Sequence, residues 1–215
     1  MNPVLIYCYD AYCGWCYGFS PVIKKIEDDY RETLQLEVLS GGLVNYGKPQ
    51  PLSVFSELIL GSYKRIEESS TVEFGPDFLW HVRNTDKSDW FLDSEKAATA
   101  LCIFKEMYPD MQAQFAADLQ YAFNFEARDL MDDEAYRHLL IKYKIDGDDF
   151  YTKLNSEEYK KKAHHEFELC KQLGITGFPC VLLQVDENKI YLISQGLRSY
   201  EDVKARIDDV LKGLV

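Results

Sequence analysis

Two cysteines near the start of the chain have the spacing of a thiol–disulfide exchange site. Cys13 and Cys16 are separated only by Gly14 and Trp15. A thiol that attacks disulfides must be partly ionised and accessible, and it needs a second thiol nearby to resolve the mixed disulfide. At a helix N-terminus, free N–H groups would favour negative charge on Cys13, and Cys16 would lie one turn further on, within disulfide reach but more buried. The spacing predicts a redox-active dithiol.

The other cysteines fit a metal site poorly. A zinc knuckle needs a second close pair of ligands, but Cys102, Cys170 and Cys180 stand apart along the chain. Cys8 completes the C-x4-C-x2-C spacing of plant-type ferredoxins, yet it lies inside an apolar segment and the long cluster-binding loop is missing. We therefore predict no metal. Buried cysteines acting as small hydrophobic residues explain all four, although a strand at Cys180 could bring it close to Cys8.

The first 45 residues predict a β-α-β unit around the dithiol. The nearly continuous apolar run 4–9 suits a strand that is buried on both faces. Apolar residues then recur at helical spacing from Cys16 to about Tyr30, and 34–39 reads as a second strand. The two cysteines are therefore expected at a strand-to-helix junction.

Residues 50–155 read as mostly helical. We expect a helix from Pro51 to about Glu68, a loop or broken helix over 71–84, and a helix that Asp93 caps and that stops before Pro109. Further helices are expected over 110–125, 132–144 and 147–154. No flexible linker separates this block from the rest, so we expect it to pack onto the strands.

The last 60 residues read as helix, strand, turn, strand and helix. Ser156 begins a helix that Gly174 ends in the left-handed conformation, strands follow over 180–183 and 190–194, and Ser199 caps a final helix to about Leu211. Joined to the opening unit, this order predicts an α/β, thioredoxin-like fold with a large helical insertion. The predicted thioredoxin-like domain comprises 1–48 and 156–215, and the inserted helical domain comprises 49–155.

Pro179 is the second residue that needs a chemical reason. It begins an apolar strand, where a proline normally removes a ladder hydrogen bond. In a thioredoxin-like fold, Phe178–Pro179 would be a cis peptide whose loop faces the dithiol. The backbone of Phe178 would then be free to pair with an extended substrate. An ordinary trans proline at a strand edge is the alternative.

Composition limits the partners. The chain has 215 residues with 24 basic and 36 acidic side chains, a net charge of −12. Such an acidic surface repels phosphate backbones and anionic lipids, which argues against nucleic acid and membrane partners. No apolar run approaches the ~18 residues of a membrane span, and the first residues lack the pattern of a signal peptide. We therefore expect a cytoplasmic protein.

Three motifs together resemble a known family. They are Asp10-Ala11-Tyr12-Cys13-Gly14-Trp15-Cys16-Tyr17-Gly18-Phe19, Ser40-Gly41-Gly42-Leu43 and Leu173-Gly174-Ile175-Thr176-Gly177-Phe178-Pro179. They are similar to those of the DsbA family, and most similar to its cytoplasmic branch of predicted protein-disulfide isomerases. The resemblance spans nearly the whole chain and implies thiol–disulfide oxidoreductase activity. It implies that Cys13 is the nucleophile, Cys16 the resolving thiol and Pro179 the cis-proline, with Trp15, Gly177 and Phe178 near the substrate.

Two departures from the family pattern bear on the chemistry. The dipeptide Gly14-Trp15 offers no histidine to stabilise a thiolate, and a less stabilised thiolate makes the disulfide less oxidising. That favours a reductase or isomerase. Tyr7 stands where related proteins often carry a buried acid, six residues before the nucleophile. Asp10 could substitute, but its place in a turn favours a solvated or capping carboxylate.

The leading hypothesis is a thiol–disulfide oxidoreductase of the reductase or isomerase type that acts on protein or small disulfides. It needs no bound cofactor, only an external thiol reductant such as glutathione or a dithiol protein. One alternative is a non-catalytic adaptor on the same scaffold. Another is a glutathione-dependent kappa-type transferase or isomerase, against which Cys16 argues. The oligomeric state does not follow from the sequence.

Overall fold

The computed structural model describes residues 3–44 and 47–214. Its strands are β1 (Val4–Tyr9), β2 (Gln35–Ser40), β3 (Gln50–Pro51), β4 (Phe91–Leu92), β5 (Cys180–Asp186) and β6 (Lys189–Gln195). Its α-helices are α1 (Gly14–Tyr30), α2 (Ser56–Ser69), α3 (Pro76–Arg83), α4 (Ser94–Met107), α5 (Gln112–Asn124), α6 (Arg137–Tyr143), α7 (Gly147–Leu154), α8 (Glu157–Gln172) and α9 (Tyr200–Leu211). Short 3₁₀ turns cover Leu52–Val54, Pro109–Met111 and Asp133–Tyr136.

The central sheet has the strand order β2-β1-β5-β6. β1 and β2 are parallel, because α1 crosses over between them, whereas β5 pairs antiparallel with both β1 and β6. The predicted β-α-β unit and the final hairpin are both present. Cys13 lies between the end of β1 and the start of α1, so the first dithiol residue is at the predicted strand-to-helix junction.

Side chains of β1 alternate between two layers of the core. Tyr7 and Tyr9 lie on the face that α1 covers, where the Tyr7 ring is 5.8 Å from that of Phe19. Cys8 lies on the other face, in an apolar cluster with Cys170 of α8. This alternation explains the continuous apolar run of β1, since helices cover both faces.

The helical region differs from the prediction in two places. Residues 76–83 form the helix α3, although 71–84 was expected to be loop or broken helix. Proline is compatible with the first turn of a helix, and Pro76 begins this one with Phe78 and Val82 buried. Pro51 does not open an α-helix, and only a 3₁₀ turn, Leu52–Val54, follows it directly. Pro51 pairs with Phe91 in the two-residue ladder β3–β4, and α2 begins only at Ser56.

The N-terminus of α5 is capped from a distant helix. No side chain of its own caps α5. Instead, the buried carboxylate of Glu27 in α1 accepts the Ala113 backbone N–H at 2.9 Å. Free N–H groups at a helix start favour a negative charge. This contact fixes α5 against α1, the helix that carries the dithiol.

A second buried carboxylate ties the end of β2 to the helices. Glu166 of α8 accepts the Ser40 backbone N–H at 2.9 Å and the Lys105 ammonium at 2.8 Å. Lys105 of α4 also donates to the Val38 carbonyl and pairs with Glu37. A buried charge requires such partners. The network holds β2 between α4 and α8.

The predicted division of the chain at 48 and 156 stays a prediction. One hydrophobic core includes Phe19 of α1 and Val181 of β5 together with Leu101, Phe115 and Leu139 of the central helices. The helical region and the sheet thus share a core.

Glu27 gives a pH-dependent prediction. Burial raises its pKa to about 7, so between about pH 4.5 and 7 the native state holds a proton that the unfolded chain releases. Stability supplied by this proton is lost as the pH rises through that window. The free energy of unfolding of the wild type should fall between pH 5 and pH 8. In the Glu27→Gln variant, whose side chain stays neutral, we expect this fall to be smaller by on the order of 2 kcal/mol. Urea unfolding at both pH values measures this, and parallel losses would contradict it.

Candidate active site

The N-terminus of α1 holds the sulfur of Cys13. Cys13 is the N-cap residue, and its Sγ accepts the Cys16 backbone N–H at 3.3 Å. Its own N–H donates to the Asp10 carbonyl at 3.1 Å, which fixes the turn between β1 and α1. A sulfur held this way faces the free N–H groups and the positive end of the helix dipole.

The two thiols differ in exposure. Cys16 is fully buried and Cys13 is 6 % exposed. The greater burial of Cys16 agrees with the prediction. The expectation that Cys13 is accessible at the surface is wrong, because its side chain is nearly as buried. Because α2 and Phe74 cover the start of α1, Cys13 is reached through a cavity rather than from an open surface. Burial and the neighbouring Cys13 thiol raise the pKa of Cys16 well above its usual value.

That cavity is apolar and has a volume of about 190 Å³. Cys13, Trp15 and Phe178 line it, together with Leu43 from the loop after β2 and Leu58 from α2. None of the described residues that line it is charged. Leu58 at its rim is 70 % exposed, so the apolar lining continues to the surface. A wider cleft of about 600 Å³ beside α1 and α5 contains neither cysteine of the dithiol.

The loop before β5 faces the dithiol. Phe178–Pro179 is a cis peptide, as expected. The Cys13 thiol lies 3.7 Å from the Phe178 carbonyl oxygen and donates to it. Pro179 is buried, and Gly177 is not among the residues that line the cavity. Cys13, Trp15 and Phe178 therefore line one cavity, and Cys16 lies beside Cys13, while Pro179 and Gly177 flank Phe178 in the chain and do not line the cavity.

Asp10 is not solvated. It is 1 % exposed, and its two carboxylate oxygens accept the backbone N–H groups of Tyr12 at 3.0 Å and Leu43 at 2.8 Å. Burial raises its pKa even though these hydrogen bonds act in the opposite direction. Asp10 does cap backbone N–H groups, as one of the two expectations had it. It thereby joins the turn before Cys13 to the loop that carries Leu43 into the cavity wall.

Tyr7 lies beneath the dithiol. It is 1 % exposed, and burial and the Cys16 and Cys13 thiols raise its pKa. Its hydroxyl makes no hydrogen bond of normal geometry with the described residues. The residue at the position of the family's buried acid is thus a neutral hydroxyl beside the resolving thiol.

The remaining cysteines lie outside the site. Cys8 and Cys180 are opposite each other in the β1–β5 register, which confirms that they are close, and Cys170 packs with them as a buried thiol. Cys102 donates to Glu166 at 3.4 Å. Their burial fits small hydrophobic residues.

Sequence reasoning did not find most of the cavity wall. Phe55, Leu58, Ile59 and Ile66 of the α2 region contribute to it. The sequence predicted a helix in this region but gave no indication of the element against which it packs. Only the three-dimensional arrangement brings it over Cys13.

Comparison with known protein families agrees with this geometry. Residues 4–208 match the family described as the DSBA-like thioredoxin domain. The chain therefore belongs to this family of thiol–disulfide oxidoreductases, whose members act on disulfides.

Solved structures with the same fold cover almost all of the chain. A candidate protein disulfide isomerase from Nitrosomonas europaea has a TM-score of 0.85 at 26% identity, with 99% of each chain covered. The cytosolic disulfide reductase DsbM from Pseudomonas aeruginosa has a TM-score of 0.75 at 23% identity, covering 97% of this chain and 98% of its own. DsbM has also been solved with GSH, at a TM-score of 0.71, 23% identity, and coverage of 97% and 99%.

Among curated protein sequences, none is similar enough to this chain to count as a match. Across the described residues, no helix combines the length and the apolar character needed to cross a membrane.

Gly41 provides a test of the loop geometry. A Cβ at Gly41 would lie 1.9 Å from Cζ of Phe178, so the ring would have to leave its place. We expect Gly41→Ala to cost about 1–3 kcal/mol in stability and to slow the reaction of Cys13 with disulfides. Urea unfolding and stopped-flow thiol exchange measure the two effects.

Gly177→Ala, in the loop that carries Phe178, is the matched control. A Cβ there would meet only the Gln195 amide nitrogen, at 3.9 Å. Its stability should change by less than about 0.5 kcal/mol. Equal effects of the two substitutions would mean that the position of the Phe178 ring is not what matters.

Proposed function

We propose that this protein is a thiol–disulfide oxidoreductase of the reductase or isomerase type, with Cys13 as its nucleophile and Cys16 as its resolving thiol. The observation that carries the proposal is the position of the Cys13 sulfur. It caps the N-terminus of α1 and lines an apolar cavity opposite the Phe178 carbonyl. A sulfur at a helix N-terminus that faces an enclosed site is suited to attack a disulfide.

The reaction has two exchange steps. The Cys13 thiolate attacks one sulfur of the substrate disulfide, forms a mixed disulfide and releases the first substrate thiol. Cys16 then attacks the Cys13 sulfur, releases the second substrate thiol and leaves a Cys13–Cys16 disulfide. The substrate gains two electrons and two protons. In an isomerase cycle the released substrate thiol attacks a second disulfide of the same substrate. The thiol displaced there then attacks the substrate sulfur of the mixed disulfide and releases Cys13.

The cavity favours a disulfide with apolar neighbours as the substrate. Its lining carries no charge in the described residues, and its volume of about 190 Å³ suits one apolar side chain rather than a large ligand. The net charge of −12 also disfavours strongly anionic small disulfides. A polypeptide with an apolar residue beside its half-cystine fits best, with Trp15 and Phe178 as the contacts beside the reacting sulfur.

An external thiol would complete the cycle. Glutathione or a dithiol protein would reduce the Cys13–Cys16 disulfide, and no bound cofactor is required. DsbM, a cytosolic reductase solved with GSH, offers a precedent on the same fold. We propose the cytoplasm as the place of action for the same reason.

The proposal predicts the behaviour of two cysteine variants. Reduction of a fluorescently quenched peptide disulfide with leucine beside its cysteine should fall to the uncatalysed rate in Cys13→Ser. Cys16→Ala should instead accumulate the mixed disulfide, because the resolving step is lost. Fluorescence follows turnover and mass spectrometry detects the trapped species.

Cys102→Ser is the matched control, since its hydroxyl can keep the hydrogen bond to Glu166. It should retain turnover close to that of the wild type. Unchanged turnover in Cys13→Ser would refute the assignment. If Cys13→Ser and Cys16→Ala still bound a protein partner and the wild type showed no turnover, the adaptor hypothesis would replace it.

A further inference from the structure

The second exchange step sets a physical problem at Cys16. Its thiol must lose a proton before it can attack, yet the side chain is fully buried and burial raises its pKa. Hydrogen bonds to the charged form offset that cost. The backbone of Asp10 supplies one such contact to the Cys16 sulfur. A second hydrogen-bond donor to the Cys16 sulfur must come from another side chain near it.

The hydroxyl of Tyr7 is a buried hydrogen-bond donor near the Cys16 thiol. The Tyr7 ring is fixed in the core, 5.8 Å from the ring of Phe19 and 5.6 Å from that of Tyr9. Its hydroxyl is buried, has no hydrogen-bond partner of normal geometry among the described residues, and has the Cys16 and Cys13 thiols as electrostatic neighbours. A buried hydroxyl without a partner destabilises the folded state, so it calls for an explanation.

The other titratable groups near Cys16 do not fit this role. The Asp10 carboxylate is engaged by two backbone N–H groups, and its negative charge opposes a thiolate. The Cys13 sulfur is the atom under attack. Tyr9 also has an unpartnered hydroxyl, but Asp10 and Glu166 are its strongest electrostatic neighbours and Cys16 is a weaker one.

We propose that Tyr7 is a positioning residue for the resolving step and donates a hydrogen bond from its hydroxyl to the Cys16 thiolate as that thiolate forms. This inference rests on the proposed function of the dithiol. Such a neutral donor stabilises the thiolate directly and does not accept its proton.

The step balances without another reactant. Cys16 gives up its proton, and its sulfur bonds to the Cys13 sulfur as the bond from Cys13 to the substrate sulfur breaks. The departing sulfur takes the electron pair of that bond and is protonated to a thiol. Tyr7 keeps its proton throughout, since it only donates a hydrogen bond. In this step Cys16 is oxidised, the substrate sulfur is reduced, and the Cys13 sulfur stays at the oxidation level of a disulfide.

Dipyridyl disulfide separates the two exchange steps. This neutral aromatic disulfide releases one coloured thiopyridone when Cys13 attacks and a second when Cys16 resolves the adduct. Stopped-flow absorbance on the reduced full-length protein therefore gives one rate for each thiol. Cys16→Ala assigns the phases, because it should show only the first.

We expect Tyr7→Phe to slow the second phase about tenfold, as loss of a hydrogen bond to a charged group predicts. The pH midpoint of the second phase should move upward, because the thiolate forms less readily. The first phase should be unchanged. Thermal unfolding should show a reduced Tyr7→Phe protein that is at least as stable as the wild type, because an unpartnered hydroxyl has been removed.

Tyr9→Phe is the matched control, since it removes a buried, unpartnered hydroxyl from the same face of β1. Its second phase should stay within about twofold of the wild type. An unchanged second phase in Tyr7→Phe, equal slowing of both phases, or the same effect in Tyr9→Phe would overturn the inference. A wild type that releases only one thiopyridone would instead refute the proposed function, so the two failures are distinguishable.

Discussion

The hydrogen bond from the Cys16 backbone N–H to the Cys13 sulfur, at 3.3 Å, joins the chemistry of this protein to its fold. The bond exists because β1 ends where α1 begins and because a cysteine occupies the N-cap position, where a hydroxyl or carboxylate group is usual. The helix needs a cap, and the thiolate needs N–H groups. One sulfur therefore both caps the helix and lies at its N-terminus.

Buried polar groups hold the surroundings of that junction in place. Asp10 joins the turn before Cys13 to the loop after β2, Glu27 fixes α5 against α1, and Glu166 holds the end of β2. Each carboxylate accepts a backbone N–H group, which offsets part of the cost of its burial, although burial still raises the pKa of Asp10 and Glu27. The hydroxyl of Tyr7 is the contrast, because it lies in the same core without such a partner. The Tyr9 hydroxyl is unpartnered as well, and the Cys16 thiol beside Tyr7 is what distinguishes the two.

The sequence predicts the parts of this arrangement that depend on local patterns. The apolar run of β1, the spacing of α1, the N-caps Asp93, Ser156 and Ser199 and the left-handed Gly174 follow from neighbouring residues, and all are present. The cis Phe178–Pro179 peptide could be expected only through the resemblance to a known fold. The ladder β3–β4 is two residues long and leaves no periodic signal.

Long-range contacts account for what could not be predicted. Glu27 and Ala113 are 86 residues apart, and the apolar face of α2 gives no indication that it covers Cys13. Asp10 looked solvated because its sequence context is a turn. Its burial depends on Leu43, which lies beyond β2. Patterns along the chain predict the dithiol, whereas the shape of its cavity is determined by packing between distant segments.

The redox equilibrium of Cys13 and Cys16 with glutathione tests the central claim most directly. Thiol trapping across a series of ratios of reduced to oxidised glutathione, with Cys16→Ala as the control, would report the fraction of intramolecular disulfide. The account predicts a reversible Cys13–Cys16 disulfide with a potential between about −270 and −180 mV, in the range of thioredoxin and protein disulfide isomerase. Failure to form an intramolecular disulfide at any ratio would contradict the account. A potential near the −120 mV of a strong oxidant would contradict its reductase or isomerase assignment.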